Sequence, residues 1–159
     1  MSHVANKGVR WGAVATGWTV AVLIGIVITP VLSWLYRFLT ESGTGGGRFT
    51  AAAAVIALVS GFLAYLVGGY VAGRLARYSG GLNGAMTAVF GLVVGLILAA
   101  VLTAFGTVFT EGVAMPPASF GLASTAALAG LVLFLVNLSA GYIGGKLGEP
   151  TRPDVIHIR

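Results

Sequence analysis

The sequence predicts an all-α integral membrane bundle of four transmembrane helices, arranged as two tandem helical hairpins. Three observations predict it: an apolar composition, four long runs without charge, and an internal repeat at the ends of two of those runs. Of the 159 residues, 57% are hydrophobic and only 8% charged, and the mean hydropathy is +0.98. A soluble domain carries about 25% charged residues, and a chain this apolar could not cover a water-facing surface. Lipid is its natural solvent.

Spanning a hydrocarbon core of about 30 Å takes about 20 apolar residues at about 1.5 Å each. Helices are expected over about 11–38, 51–77, 82–110 and 120–147, within a single transmembrane domain covering 1–159. The first run follows Lys7 and Arg10, as a signal peptide would, but it is too long for one and leads into Trp34, Tyr36 and Arg37. It reads as a retained helix. Pro30 removes one backbone hydrogen bond and is expected to kink it.

The connectors fit this reading. Glu41 to Arg48 form a glycine-rich loop, and a short turn is expected around Arg77, Tyr78, Ser79, Gly80 and Gly81. Asn83 is placed in that turn as a cap for the third helix. Pro116 and Pro117 stop any helix between the third and fourth runs, and the tail after Gly148 turns polar.

Lys and Arg set the orientation. Lys7, Arg10, Arg74, Arg77, Lys146, Arg152 and Arg159 fall on one side, against Arg37 and Arg48 on the other. The positive-inside rule therefore places both termini in the cytoplasm. The net charge of +5 is spread singly and in pairs between apolar runs. No basic run tracks a phosphate backbone, so nucleic acid is not an expected partner. Cysteine is absent, which excludes disulfides and thiolate chemistry. No cofactor or metal is expected, because His3 and His157 are isolated, and no nucleophile stands with a base. The chain is not expected to be an enzyme.

The repeat is the strongest pattern. Gly69 to Ala76 reads GYVAGRLA and Gly141 to Gly148 reads GYIGGKLG, an offset of 72 from Gly69 to Gly141. The repeat halves span about 10–78 and 82–148, and both enter from the same side, so an axis along the membrane normal would relate them.

Glycine placement suggests how the helices meet. Lipid gives no hydrophobic drive between helices, so small residues four apart, which let backbones approach, mark the packing faces. These are Gly17, Ala21 and Gly25; Gly69 and Gly73; Gly91 and Gly95; and Gly141 and Gly145, with Ala140/Gly144 as a further pair. They serve packing within the chain or against a second subunit. Because Gly69 and Gly73 end a helix, where carbonyls are free, they do not form a phosphate loop. Arg74, Arg77 and Lys146 complement the negative helix ends and are candidate contacts for anionic lipid headgroups. Asn137 is the one amide well inside a run, expected to bond a neighbouring helix. Thr16, Thr19, Thr29, Ser60, Thr87, Thr103, Thr107, Ser124 and Thr125 are expected to bond their own helix backbones.

The stretch LVGGYVAGRLARYSGGLNGAMTAVFG and the ending AGYIGGKLGE resemble signatures of uncharacterised small four-helix prokaryotic membrane proteins. The resemblance covers about half the chain. It implies the four-helix fold and a prokaryotic plasma membrane, and no activity. This tail is shorter than the basic tails of many such proteins. The expected role is a non-enzymatic scaffold or accessory subunit of unknown process, with the lipid bilayer, a homo-oligomer or a larger membrane complex as partner. The alternative is a small channel or transporter for an ion or small solute, and a third reading is a lipid-interacting stress protein.

Overall fold

A computed structural model describes residues 8–40, 51–104 and 127–150. It contains α1 (Trp11–Thr40), α2 (Ala51–Ala76), α3 (Gly80–Ala104) and α4 (Ala127–Gly148). All four are long and apolar enough to cross a membrane. At about 1.5 Å per residue, even the 22 residues of α4 reach about 33 Å. The expected helix over 82–110 ends, and that over 120–147 begins, in segments outside the described residues, where the glycine loop, the Pro-Pro loop and the tail beyond Pro150 also lie.

The helices persist although Pro30 withholds one N–H from the α1 ladder, and most serine and threonine hydroxyls described within them bond their own backbone. Thr16 donates to the Gly12 carbonyl at 2.9 Å, Thr19 to Ala15 at 3.0 Å, Ser60 to Ile56 at 2.7 Å and Thr87 to Gly84 at 2.5 Å. Thr29 departs from this expectation: its hydroxyl is buried without a partner, while its carbonyl accepts from Ser33. Helix α1 continues as one α-helix through Pro30.

The α2–α3 connection corrects the expected turn. Gly80 and Gly81 belong to α3, and the turn itself is Arg77, Tyr78 and Ser79. Two non-glycine residues take its left-handed conformation, Arg77 with φ 63° and Ser79 with φ 51°. The glycines are held inside the helix by a packing demand described below, so the turn is left to residues that tolerate it less well.

Helix α2 touches all three others, as does α3, whereas α1 and α4 do not meet. Tyr65 of α2 forms the buried centre with Ala21, Ala88 and Ala140, one from each other helix. This contact pattern does not show the two-fold axis that tandem hairpins predict, because α2 reaches α3 while α1 does not reach α4.

Candidate functional site

Four chain segments converge at one end of the bundle: the start of α1, the end of α2, the start of α3 and the end of α4. Backbone meets backbone there. A methyl group built on Gly69 would fall on the Gly141 carbonyl, one on Gly73 on the Gly145 carbonyl, and one on Gly84 again on Gly141. Gly145 in turn meets the Gly80 carbonyl, and Gly144 and Gly148 meet the carbonyls of Leu66 and Tyr70. Helix α4 is thus wedged between α2 and α3, with glycine against carbonyl at the closest points. This explains why α3 opens with glycine: a β-carbon at Gly80 or Gly81 would strike α4 at Gly145 or the Tyr142 ring. In lipid such close approach replaces hydrophobic burial as the source of association.

Helix α1 docks by the same device on the other side. A methyl on Gly17 would lie 2.6 Å from the Gly68 carbonyl oxygen and 2.7 Å from the Ala72 methyl, and one on Gly68 would lie 2.7 Å from the Ala21 methyl. The predicted packing residues Gly17, Ala21, Gly25, Gly69, Gly73, Gly91, Gly95, Gly141 and Gly145 are all buried within the single chain. Contacts at most of them place those surfaces between helices of one molecule.

A polar knot closes this end. Asn83 is fully buried in the first turn of α3. Its Oδ1 accepts the Arg10 backbone N–H at 2.7 Å, and its Nδ2 donates to the carbonyls of Ser79 and Tyr78 at 3.1 and 3.3 Å. The Arg10 guanidinium donates to the Leu75 and Ala76 carbonyls at 3.3 and 3.4 Å, covering the free end of α2. The free end of α3 is covered by Glu149, which follows α4 and accepts the Gly80 N–H at 3.2 Å. Asn83 is therefore a clamp between the α2–α3 turn and the chain entering α1. The expected capping role belongs to Glu149.

Deeper in the bundle three polar groups stand apart. Asn137 is 8% exposed and its Oδ1 has no partner. It points at α2, 2.6 Å from where a β-carbon of Gly61 would be, and the interhelical hydrogen bond expected of this oxygen is not made. The Trp18 Nε1 is also buried without a partner. It and the Tyr65 hydroxyl both crowd the face of Gly91, where a side chain would collide with either. Trp18 is held edge-on to Phe90 with ring centroids 5.5 Å apart. Tyr65, Trp18 and Glu149 were not singled out from sequence. A tyrosine or tryptophan in an apolar run reads as an interfacial anchor, and only the contacts reveal one at the centre.

Arg74 and Lys146, equivalent in the repeat, do not form one cluster. Arg74 lies four residues after Tyr70 and donates to its hydroxyl at 3.5 Å. Lys146 stands 6.0 Å over the Tyr142 ring, and that ring covers Gly81 on the α3 side of α4. Arg77 sits apart in the turn. Among the described residues this end carries Arg10, Arg74, Arg77 and Lys146 against one carboxylate, Glu149. No three His, Cys, Asp or Glu side chains gather among the described residues.

These features define a class: an all-helical bundle with four membrane-length helices, locked at its basic end by glycine-to-backbone contacts. Compared with known proteins, the chain matches no family model, no curated protein and no solved structure.

Proposed function

We propose that the chain is a non-enzymatic membrane scaffold or accessory subunit, set in a prokaryotic plasma membrane with its basic end and both termini in the cytoplasm. It is built from two tandem hairpins whose packing has diverged since duplication. The observation that carries the scaffold reading is the contrast within α1. Its first half sets Ala13, Val14, Gly17, Ala21 and Gly25 as a buried face against the bundle, whereas Ile26, Val27, Val31, Trp34 and Phe38 stand exposed along the second. The small-residue faces are consumed inside the chain, and this apolar face, which carries the bulky Trp34 and Phe38, is offered to a partner helix.

Because the chain has no cysteine, single cysteines introduced at Val27 and Val31 test the reading directly. Cross-linking in native membranes is expected to trap a second chain or another protein there, and the particle in mild detergent is expected to exceed the monomer mass. A monomer with no cross-linked product overturns it. The second reading is a small channel or transporter made of several copies. It is favoured by the unpartnered Asn137 Oδ1 and Trp18 Nε1 within the span, since polar groups there mark solute paths. Solute flux through a homo-oligomer in liposomes would select it.

A further inference from the structure

Two exposed stripes run along α2 and α4 to the basic end. On α2 the stripe is Val59, Leu63, Val67, Tyr70 and Arg74; on α4 it is Leu131, Leu135, Ser139, Tyr142 and Lys146. The spacing is the same in both, and each α4 residue lies 72 positions after its α2 counterpart, as from Tyr70 to Tyr142. All ten side chains face outward, with Tyr70 40% and Tyr142 48% exposed. From the middle of the helix to its end the order is aliphatic, tyrosine, cation, with one departure at Ser139. Its hydroxyl is satisfied by the Leu135 carbonyl at 2.8 Å, so that position stays compatible with an acyl chain.

That order is the order of a phospholipid read from its tail. Aliphatic side chains match the acyl chain, and an amphipathic tyrosine suits the headgroup boundary. A cation one turn further out meets the phosphate. Each cation is steered by its own tyrosine, through a hydrogen bond from Arg74 and a cation–π contact from Lys146. Neither has a carboxylate partner among the described residues, and Glu149 is engaged with the Gly80 N–H. We propose that each stripe seats one anionic phospholipid, giving two specific lipid sites per chain, separated by the α4 wedge. Arg77, set apart in the turn, belongs to neither.

The test is native mass spectrometry of the full chain released from detergent, with phosphatidylglycerol or phosphatidylcholine added. Two phosphatidylglycerol molecules are expected to stay bound under conditions that strip phosphatidylcholine. Arg74→Gln and Lys146→Gln are each expected to weaken one of the two sites about fivefold, the loss of one cation near an anionic surface, and the double variant to weaken both. Arg77→Gln is expected to leave both. These side chains are exposed, so the variants are expected to fold, and thermal unfolding in detergent verifies it. Equal retention of phosphatidylcholine overturns the proposal. So does an Arg77→Gln loss matching that of Arg74→Gln, which would mean diffuse attraction. Displacement by excess inorganic phosphate would equally overturn it, by showing an ion site and not a lipid site.

Discussion

The glycine junction beside the basic end and the second half of α1 are both built of apolar residues, yet they behave in opposite ways. At the basic end α2, α3 and α4 touch through Gly69, Gly73, Gly80, Gly84, Gly141 and Gly145, and scarcely a side chain separates them. Beyond Gly25, α1 carries leucine, isoleucine, valine and tryptophan, and Trp34 is 65% exposed. In water the second region would be the sticky one. In lipid, burying a leucine against another helix gains little over burying it among acyl chains, so association follows from backbone approach and not from hydrophobicity. The smallest residues hold the basic end together, and most of the large residues beyond Gly25 on α1 are left facing outward.

The largest expected effect breaks the first region. Gly145→Ala places a methyl on the Gly80 carbonyl and against Gly84. Both contacts are backbone, which cannot rotate away, so helices must separate along the whole junction. A loss of about 3 kcal/mol is expected, read by thermal unfolding in detergent, and Gly145→Leu should fail to fold. Gly12→Ala is the matched control. Nothing lies within 4 Å of its added carbon, so stability should stay level or rise by less than about 1 kcal/mol. In the opposite region Val27→Ala should cost the isolated chain less than about 0.5 kcal/mol. Equal losses at Gly145 and Gly12 would dissolve the comparison.

Next in size is the clamp that closes the basic end. Asn83→Ala leaves the Arg10 N–H and the amide's two carbonyl partners without it, in a fully buried position. A cost of about 2 kcal/mol is expected. Asn83→Asp is expected to do no better, because it keeps an acceptor for Arg10 but turns a second oxygen toward the Tyr78 and Ser79 carbonyls. Hydrogen exchange at the Arg10 amide distinguishes the two. It should quicken in the alanine variant and stay slow in the aspartate variant if the clamp works through Oδ1.

The four spans were legible because their signal is length without charge, which needs no knowledge of neighbours. The burial of the small residues was legible for a related reason, since a small residue every fourth position in lipid points to a close approach. What each stripe packs against was not. These helices are apolar on every side, so the period that would aim a soluble helix at its core carries no direction here. Gly80 and Gly81 read as a turn because glycine usually serves turns, and only the closeness of α4 shows why a helix must begin with them. The knot was hidden by distance along the chain: Arg10 meets Asn83, and Glu149 meets Gly80. Nothing local to those residues announces the pairing.

The smallest expected effect sharpens the comparison at mid-span, where the close-packing rule meets a polar side chain. Gly61 lies under the Asn137 amide, and an added methyl would stand 2.6 Å from Oδ1. That obstacle is the end of a side chain, so Gly61→Ala should cost about 1 kcal/mol, well short of Gly145→Ala. Asn137→Ala removes an amide oxygen that has no partner, and about 0.5 kcal/mol or less is expected in either direction. The double variant tests the contact itself. If glycine occupies position 61 to admit the amide, removing the amide should restore most of what Gly61→Ala loses, a coupling of about 0.5–1 kcal/mol. Strict additivity would mean that Gly61 answers to the α2 backbone alone. Asn137 would then be kept for something the isolated bundle does not contain, such as a second copy lining a path through the membrane.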